Sequence, residues 1–413
     1  MKNTIQQLLH IIGYALKGSR SYYCWLGILG CFLILGINSY YHHLVEGLEV
    51  TNMSDQVSWG LGVANFFFYV GIAAAAVVIV YPAYVYHKEE LKPAVIIVEL
   101  MAFCAIVMCL MFICSDIGHP ERFWHMLPIV GKLNLPYSLL AWDVVIFNIF
   151  LVLDLYIPAY LLCQKYRGLP AKKIMYMPFT WATILFAGTL HNTITAFILW
   201  SLASRAYWNS SLLPPRFIVS SFASGPAVMI IIFEVMKYYT RLPNMDSVIR
   251  LLRKIMMVML PVNLFLLLCE MFKELYPHAA RASSSIYLFF GLEGHNILTR
   301  WIWTALVFDC IATVLILMPR LTRKNHILIL CCVLSIVSIW IEKGMGLILP
   351  GFLPTPLGEI VEYYPNFGEI FVSLGVLALG ALMFTLMAKV AVGIMVSDLQ
   401  VKKQPAKKVA TFI

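Results

Sequence analysis

Long apolar runs alternate with short polar punctuation along the whole chain, and most breaks carry charge, Pro, Gly or an interfacial Trp or Tyr. A helix needs about 20 apolar residues to cross the hydrocarbon core of a bilayer. Ten runs approach or exceed that length, near 22–41, 59–86, 94–115, 138–163, 176–204, 217–239, 255–276, 300–319, 326–349 and 367–396. The runs are continuous rather than alternating, which excludes a strand barrel. The pattern predicts an all-α polytopic membrane protein with ten transmembrane helices. The first stretch, MKNTIQQLLHIIGYALKGSR, is broken by Gln6, Gln7, His10 and Gly13 and lacks a small-residue cleavage site. It reads as an interfacial helix rather than a signal peptide. The segment 283–299 reads as a second short helix lying along the interface.

The order of the runs suggests an internal repeat. Spans two to five and six to nine each carry an acid near the same end of their second helix, Asp116 and Glu270. Each has a Trp-rich entry to its third, at Trp142 and at Trp301 and Trp303. The expected division is 1–45 (interfacial segment and first span), 46–205 (a first four-helix bundle), 206–350 (a second four-helix bundle) and 351–413 (last span and basic tail). Duplicated bundles are common in membrane proteins, and their sites lie inside or between the repeats.

Composition agrees: 61% of residues are hydrophobic and 12% charged, with a mean hydropathy of +0.83, where soluble domains carry about a quarter charged residues. Lysine and arginine fix the expected orientation. Of 30 such residues, 21 fall in one set of alternating loops and 8 in the other, with Lys389 inside the last span. The positive-inside rule places both termini in the cytoplasm of a cell (inner) membrane. The net charge of +9 then reflects topology and contact with anionic membrane lipid, not nucleic acid. The ten cysteines form neither C-x-x-C-H nor a ferredoxin-type cluster, so no covalent haem, cluster or metal centre is expected.

Chemistry concentrates at one face. After MAFCAIVMCLMFIC the third span gives way to SDIGHPERFWH, placing Asp116, His119, Glu121, Arg122 and His125 together. By the same topology Asn65 and Asp143 lie in the outer parts of spans two and four, and His191 and Asn192 near the middle of span five. An ionisable group at membrane depth costs about 2.5–3.5 kcal/mol on insertion scales and faces a cavity or a partner. Asn65, Asp116, His119, Asp143, His191 and Asn192 could therefore converge on a quinone. Such a ring needs a hydrogen-bond donor at its carbonyl and a base for its protons, roles open to histidine and a desolvated carboxylate. Phe66, Phe67, Tyr69 and Trp142 could hold it. Weighed against this, His191 and Asn65 could be helix-packing residues, and Asp143 an interfacial carboxylate paired with Arg122 or Lys132. Glu99, Asp154 and Glu234 mark a candidate proton path from the other face. Glu342 and Lys343 read as a structural pair where span nine leaves the membrane.

Three stretches resemble the NrfD/polysulfide-reductase membrane-subunit family: Asp116-Ile-Gly-His-Pro-Glu-Arg-Phe-Trp124 through Pro136 to Trp142; His191-Asn-Thr-Ile-Thr-Ala-Phe197 with Arg205-Ala-Tyr-Trp-Asn209, Pro215-Arg-Phe217 and Ser224-Gly-Pro226; and Trp340-Ile-Glu-Lys343 with Pro350-Gly-Phe352 and Glu362-Tyr-Tyr-Pro365. The last is similar to the ten-helix branch that includes HmcC, QrcD and DsrP, and the DsrP type, linked to dissimilatory sulfur metabolism, is the most similar. The resemblance implies a quinone-interacting membrane subunit of a respiratory complex, with menaquinone or menaquinol as substrate and no cofactor bound covalently. It implies a periplasmic iron–sulfur subunit on the outer face, further membrane and cytochrome c subunits, and a quinone pocket in the first bundle, with Arg122 and Arg205 supporting it from the outer loops. One departure is His191-Asn192-Thr193, where His-Thr-Val is common in the family. The competing classes are a proton-coupled secondary transporter, a b-type cytochrome and a passive membrane anchor.

Overall fold

The computed structural model describes residues 2–126, 130–240, 242–276, 282–355 and 357–399. Among these, the apolar runs are helices: α1 (Lys2–Leu16), α2 (Arg20–Glu46), α3 (Leu61–Ala74), α4 (Val77–Tyr84), α5 (Lys92–Asp116), α6 (Leu139–Tyr166), α7 (Lys173–Leu185), α8 (Asn192–Trp200), α9 (Leu213–Tyr239), α10 (Met245–Leu275), α11 (Ser283–Phe290), α12 (Ile297–Ile316), α13 (Asn325–Lys343), α14 (Met345–Ile348) and α15 (Phe367–Met395). Leu292 and His295 form an isolated bridge, and no run of residues forms an extended strand among the described residues. Nine helical stretches of the described residues are long and apolar enough to span a membrane. The chain is a multi-pass helical membrane protein.

Nine of the ten predicted spans correspond to these stretches and the fifth does not, with further differences in the second and seventh. The second is broken at Ala75 and Ala76 between α3 and α4, and the break lies against Gly225 of α9, where no side chain intervenes. The fifth is not one α-helix: α7 and α8 are joined by a widened π-helical turn, Phe186–His191. The seventh begins near Met245 rather than 255. Arg250, Arg253 and Lys254, assigned to a loop, therefore ride on the first turns of α10, where long basic side chains can still reach the interface. The expected interfacial helix in 283–299 is the shorter α11. The basic tail 402–408 lies outside the described residues.

Proline occurs inside α4, α6, α7, α9 and α10, at Pro82, Pro158, Pro178, Pro226 and Pro261. Neighbouring helices and local adjustment satisfy the freed backbone in a membrane. Helix starts are held by short polar side chains: Ser19 accepts from Tyr22 N, Ser138 from Ala141 N, and Asn366 forms a reciprocal capping box with Glu369. Helix α3 packs on α5 and α9, α5 on α6 and α15, α6 on α7 and α8, α9 on α10 and α13, and α12 on α10 and α13. Helix α2 stands outside this group and packs on α15. Gly36 and Gly375 meet there so closely that a Cβ on Gly36 would lie 2.5 Å from Gly375 Cα. Small residues at such a crossing let backbones approach where lipid supplies no hydrophobic drive.

The lysine-poor face is covered by ordered chain. Trp59, Trp208 and Phe352 form an aromatic cluster with ring centres 5.1–5.6 Å apart. Trp208 Nε1 donates to Leu347 O at 2.9 Å, and Tyr207 Oη to Gly346 O at 3.1 Å. Glu362 accepts from Tyr287 Oη, Ile297 N and His295 Nδ1 at 3.0–3.1 Å, tying the loop before α15 to α11 and α12.

Candidate functional site

The widened turn that ends in His191 sets up the most unusual polar site of the molecule. Single π-turns inside α-helices recur at functional positions because they displace a side chain from the helical register. His191 is 1% exposed, with its ring centre 4.7 Å from that of Phe147 and 5.0 Å from that of Phe150, both on α6. Phe66 of α3 continues this wall, 5.6 Å from Phe147. Among the described residues neither ring nitrogen of His191 has a hydrogen-bond partner. Leaving a buried polar group unpaired costs about 1–3 kcal/mol, and such groups call for an explanation.

The next residue repeats the pattern. Asn192 is buried; its Oδ1 accepts from Ser221 Oγ of α9 at 3.1 Å while its Nδ2 has no partner. One turn on, Thr195 Oγ1 donates to Asp143 Oδ1 at 2.9 Å and lies 3.0 Å from the backbone oxygen of His191. Asp143 is buried at 2% exposure and forms no ion pair within 4.0 Å among the described residues. The expected alternative of pairing with Arg122 or Lys132 is thus replaced by a hydroxyl. Three predicted residues, Asp143, His191 and Asn192, are assembled by α6, α8 and α9 around Thr195 and Ser221. The set offers an imidazole, an amide N–H and a carboxylate beside aromatic walls, which is what a ring carrying carbonyl or hydroxyl groups requires.

Asp116 belongs to a different place. It ends α5, and its Oδ2 accepts from Val63 N at 3.0 Å while its Oδ1 accepts from Ser115 Oγ at 3.3 Å. An anion at the start of α3 is favoured by the free N–H groups there. Asp116 opens on a cleft of about 240 Å³ lined by His43, Thr51, Gly62, Glu369 and Ser373 among others, but not by His191. His43, on α2, is 6% exposed and its Nδ1 has no partner. Glu369 accepts from Tyr363 Oη at 2.5 Å, and Tyr363 in turn accepts from Leu61 N at 2.9 Å. Burial first, and the neighbouring Glu369 second, push the Tyr363 phenol above its ordinary range, so it remains a donor. Asn65 lies behind the cleft: its Nδ2 donates to Ser373 Oγ at 3.2 Å and its Oδ1 accepts from Trp340 Nε1 at 2.8 Å. Its amide joins α3, α13 and α15.

The remaining candidates are dispersed. His119 and Glu121 pair at 2.9 Å on the surface, with side chains 66% and 64% exposed. A backbone hydrogen bond and then His119 hold the Glu121 carboxyl below the usual range. Arg122 is exposed. Arg205 donates to Phe352 O at 3.2 Å and lies over that ring at 5.1 Å, clamping the chain after α8 to the chain after α14. Glu99 and Asp154 are buried within electrostatic reach of each other, and both Glu99 oxygens lack partners. Glu234 stands apart from them, half-buried, accepting from Asn325 Nδ2 at 3.0 Å. No group of three or more His, Cys, Asp or Glu among the described residues could hold a metal ion.

One expectation is overturned. Glu342 and Lys343 do not pair, and both are 5% exposed rather than interfacial. Glu342 binds Arg216 Nη2 at 2.6 Å and Asn263 Nδ2 at 3.0 Å, while Lys343 Nζ faces Ser221 Oγ at 3.1 Å. Consecutive residues of a helix do not face each other, a signal present in the sequence. Arg216 also binds Glu270 at 2.9 Å, at a small cleft that Tyr207, Ser285 and Gly346 help to line. This network, with His43, Thr195 and Ser221, escaped the sequence reading because its members are far apart in the chain.

A model of the family described as "Polysulphide reductase, NrfD" matches residues 49–353. The chain is similar to a subunit of the selenate reductase of Mesobacillus selenatarsenatis, at 23% identity over 87% of this chain and 91% of that protein. It is similar to the Hdr-like menaquinol oxidoreductase integral membrane subunit of Archaeoglobus fulgidus, at 24% identity over 90% and 93%. It is also similar to the menaquinone reductase integral membrane subunit of Nitratidesulfovibrio vulgaris, at 21% identity over 88% and 89%.

Proposed function

The chain belongs to the NrfD family, and from that premise we propose that it is the quinone-interacting membrane subunit of a respiratory complex, exchanging electrons between a membrane quinone and a partner subunit. Two of the relatives named above are a menaquinol oxidoreductase subunit and a menaquinone reductase subunit, which favours menaquinone. The observation that carries the reading is the set of unpartnered buried atoms: both nitrogens of His191 and the amide nitrogen of Asn192, between aromatic walls and beside Asp143. A quinone carbonyl accepts from His191 or Asn192, and quinol protons pass to His191 and Asp143. Asp116, with His43 and Glu369 in the neighbouring cleft, offers the exit toward the lysine-poor face. Glu99 and Asp154 serve as a proton reserve toward the other face.

The finer placement follows from the same premise. Helix α7, the widened turn and α8 make a tenth crossing beside the nine long apolar stretches, giving two groups of four around α3–α8 and α9–α13, with α2 and α15 peripheral. Both termini lie in the cytoplasm of the cell membrane. The covered lysine-poor face, bearing Arg122 and Arg205, receives a periplasmic iron–sulfur subunit, with further membrane and cytochrome c subunits in the assembly. The motifs Trp340-Ile-Glu-Lys343, Pro350-Gly-Phe352 and Glu362-Tyr-Tyr-Pro365 support membership of the ten-helix branch, most like its DsrP type, in a complex linked to sulfur metabolism.

The test is quinol-linked electron transfer in the assembled complex. Positioned acid–base groups contribute about 10²–10⁴-fold, so His191→Ala is expected to lower the rate at least about 100-fold while the complex still assembles. Wild-type rates in His191→Ala would remove this pocket. If Asp116→Asn alone abolished binding of a quinone analogue, the ring would belong in the Asp116 cleft, a reading that the free Nδ1 of His43 supports.

A further inference from the structure

Lys343 is a buried amine that the proposed reaction leaves unused. It ends α13, is 5% exposed and projects between α3 and α9. Its Nζ is 3.1 Å from Ser221 Oγ, 3.4 Å from Phe217 O and 4.4 Å from the centre of the Phe217 ring. Gly71 makes room for it: a Cβ there would come within 2.8 Å of Nζ. Among the described residues no carboxylate lies within 4.0 Å of Nζ, and the adjacent Glu342 is engaged by Arg216 and Asn263. Removing an ammonium from water costs several kcal/mol even after relaxation. A hydroxyl, a carbonyl and a ring face offset part of that cost. A full offset needs an anion.

The lysine points toward the place where one would form. From Nζ a hydrogen bond of 3.1 Å reaches Ser221 Oγ, whose single proton is within reach of both Asn192 Oδ1 at 3.1 Å and Phe217 O at 2.6 Å.

Resting on the reading that a quinone ring occupies the His191 and Asn192 pocket, we propose that Lys343 is the counter-charge for the negatively charged, half-reduced ring. In the oxidising direction a quinol gives one electron to a one-electron acceptor of the partner subunit and two protons to His191 and Asp143. The ring is then a singly charged anion, and loss of the second electron leaves neutral quinone. In the reducing direction the same anion forms when quinone takes its first electron. Lys343 acts through its field and through Ser221 and Asn192, without touching the ring.

The test is a redox titration of the purified, assembled complex, following the paramagnetic half-reduced ring by electron paramagnetic resonance. Binding of a redox-inert quinone analogue is measured in parallel. The wild type is expected to show the signal, and Lys343→Met to lower its maximum at least about tenfold, since a lone charge is weakly screened at this depth. Lys343→Arg is expected to restore it, with analogue affinity nearly unchanged in both. Ser221→Asp sets a carboxylate beside Nζ and is expected to mimic Lys343→Met with the lysine still present. It decides the matter if Lys343→Met does not assemble. A wild-type signal in Lys343→Met, or in Ser221→Asp, would overturn the inference, as would a parallel loss of analogue affinity. Analogue binding with no half-reduced signal in the wild type overturns it alone. A wild-type complex that binds no analogue overturns the proposed function as well.

Discussion

Arg216→Met puts the energetics of the second helical group to a direct test. Arg216 is 8% exposed and holds Glu270 at 2.9 Å and Glu342 at 2.6 Å, joining α9 to α10 and α13. Methionine matches much of its length but strands two carboxylates. Removing one partner of a buried ion pair costs about 3–5 kcal/mol because the other charge is left uncompensated. Both acids keep some support: Lys273 Nζ lies 3.9 Å from Glu270, and Asn263 donates to Glu342 at 3.0 Å. The loss is therefore expected within that range rather than at its double. For a cooperative unit of this size it corresponds to a fall in Tm on the order of 10 °C. The assay is thermal unfolding of the purified protein in detergent, comparing Arg216→Met with the triple variant Arg216→Met, Glu270→Gln, Glu342→Gln. Replacing a whole buried ionic cluster by neutral groups is often close to neutral, so the triple variant is expected to recover most of the loss. If Arg216→Met melts with the wild type, the carboxylates are not stranded. If the triple variant is as unstable as the single one, the loss reflects packing rather than charge.

Two further outcomes follow from the geometry. Gly36→Leu is expected to separate α2 from α15, because a Cβ alone already meets Gly375 Cα at 2.5 Å; crosslinking between cysteines placed on the two helices should fall while the rest of the helical packing is kept. Glu121→Gln is expected to leave turnover unchanged above about pH 5. The lowered Glu121 carboxyl is already ionised there, and its pairing with His119 fades only as pH falls through that lowered value. A changed rate at neutral pH would return this exposed pair to the reaction.

The membrane class, nearly every span and the family were legible in the sequence because they depend on local quantities: run length, apolar continuity and contiguous motifs. Which polar residues meet was not. Asp143, His191 and Asn192 could be nominated from their depth, yet depth grouped them with Asp116 and Asn65. Hydropathy assigns height along the membrane normal and leaves rotation about each helix axis free. That rotation, set by close contacts such as Ala75 against Gly225 and by the extra residue in the turn 186–191, sends Asp116 to the cleft beside α2 and His191 to the aromatic interior. It also turns Glu342 and Lys343 in different directions, one into an ionic cluster and the other toward Asn192. The sequence by itself determined that ionisable residues would be carried inside long apolar helices. Only the packed helices decided which charges face one another, because side-chain pairing across a bundle depends on angles that no single segment encodes.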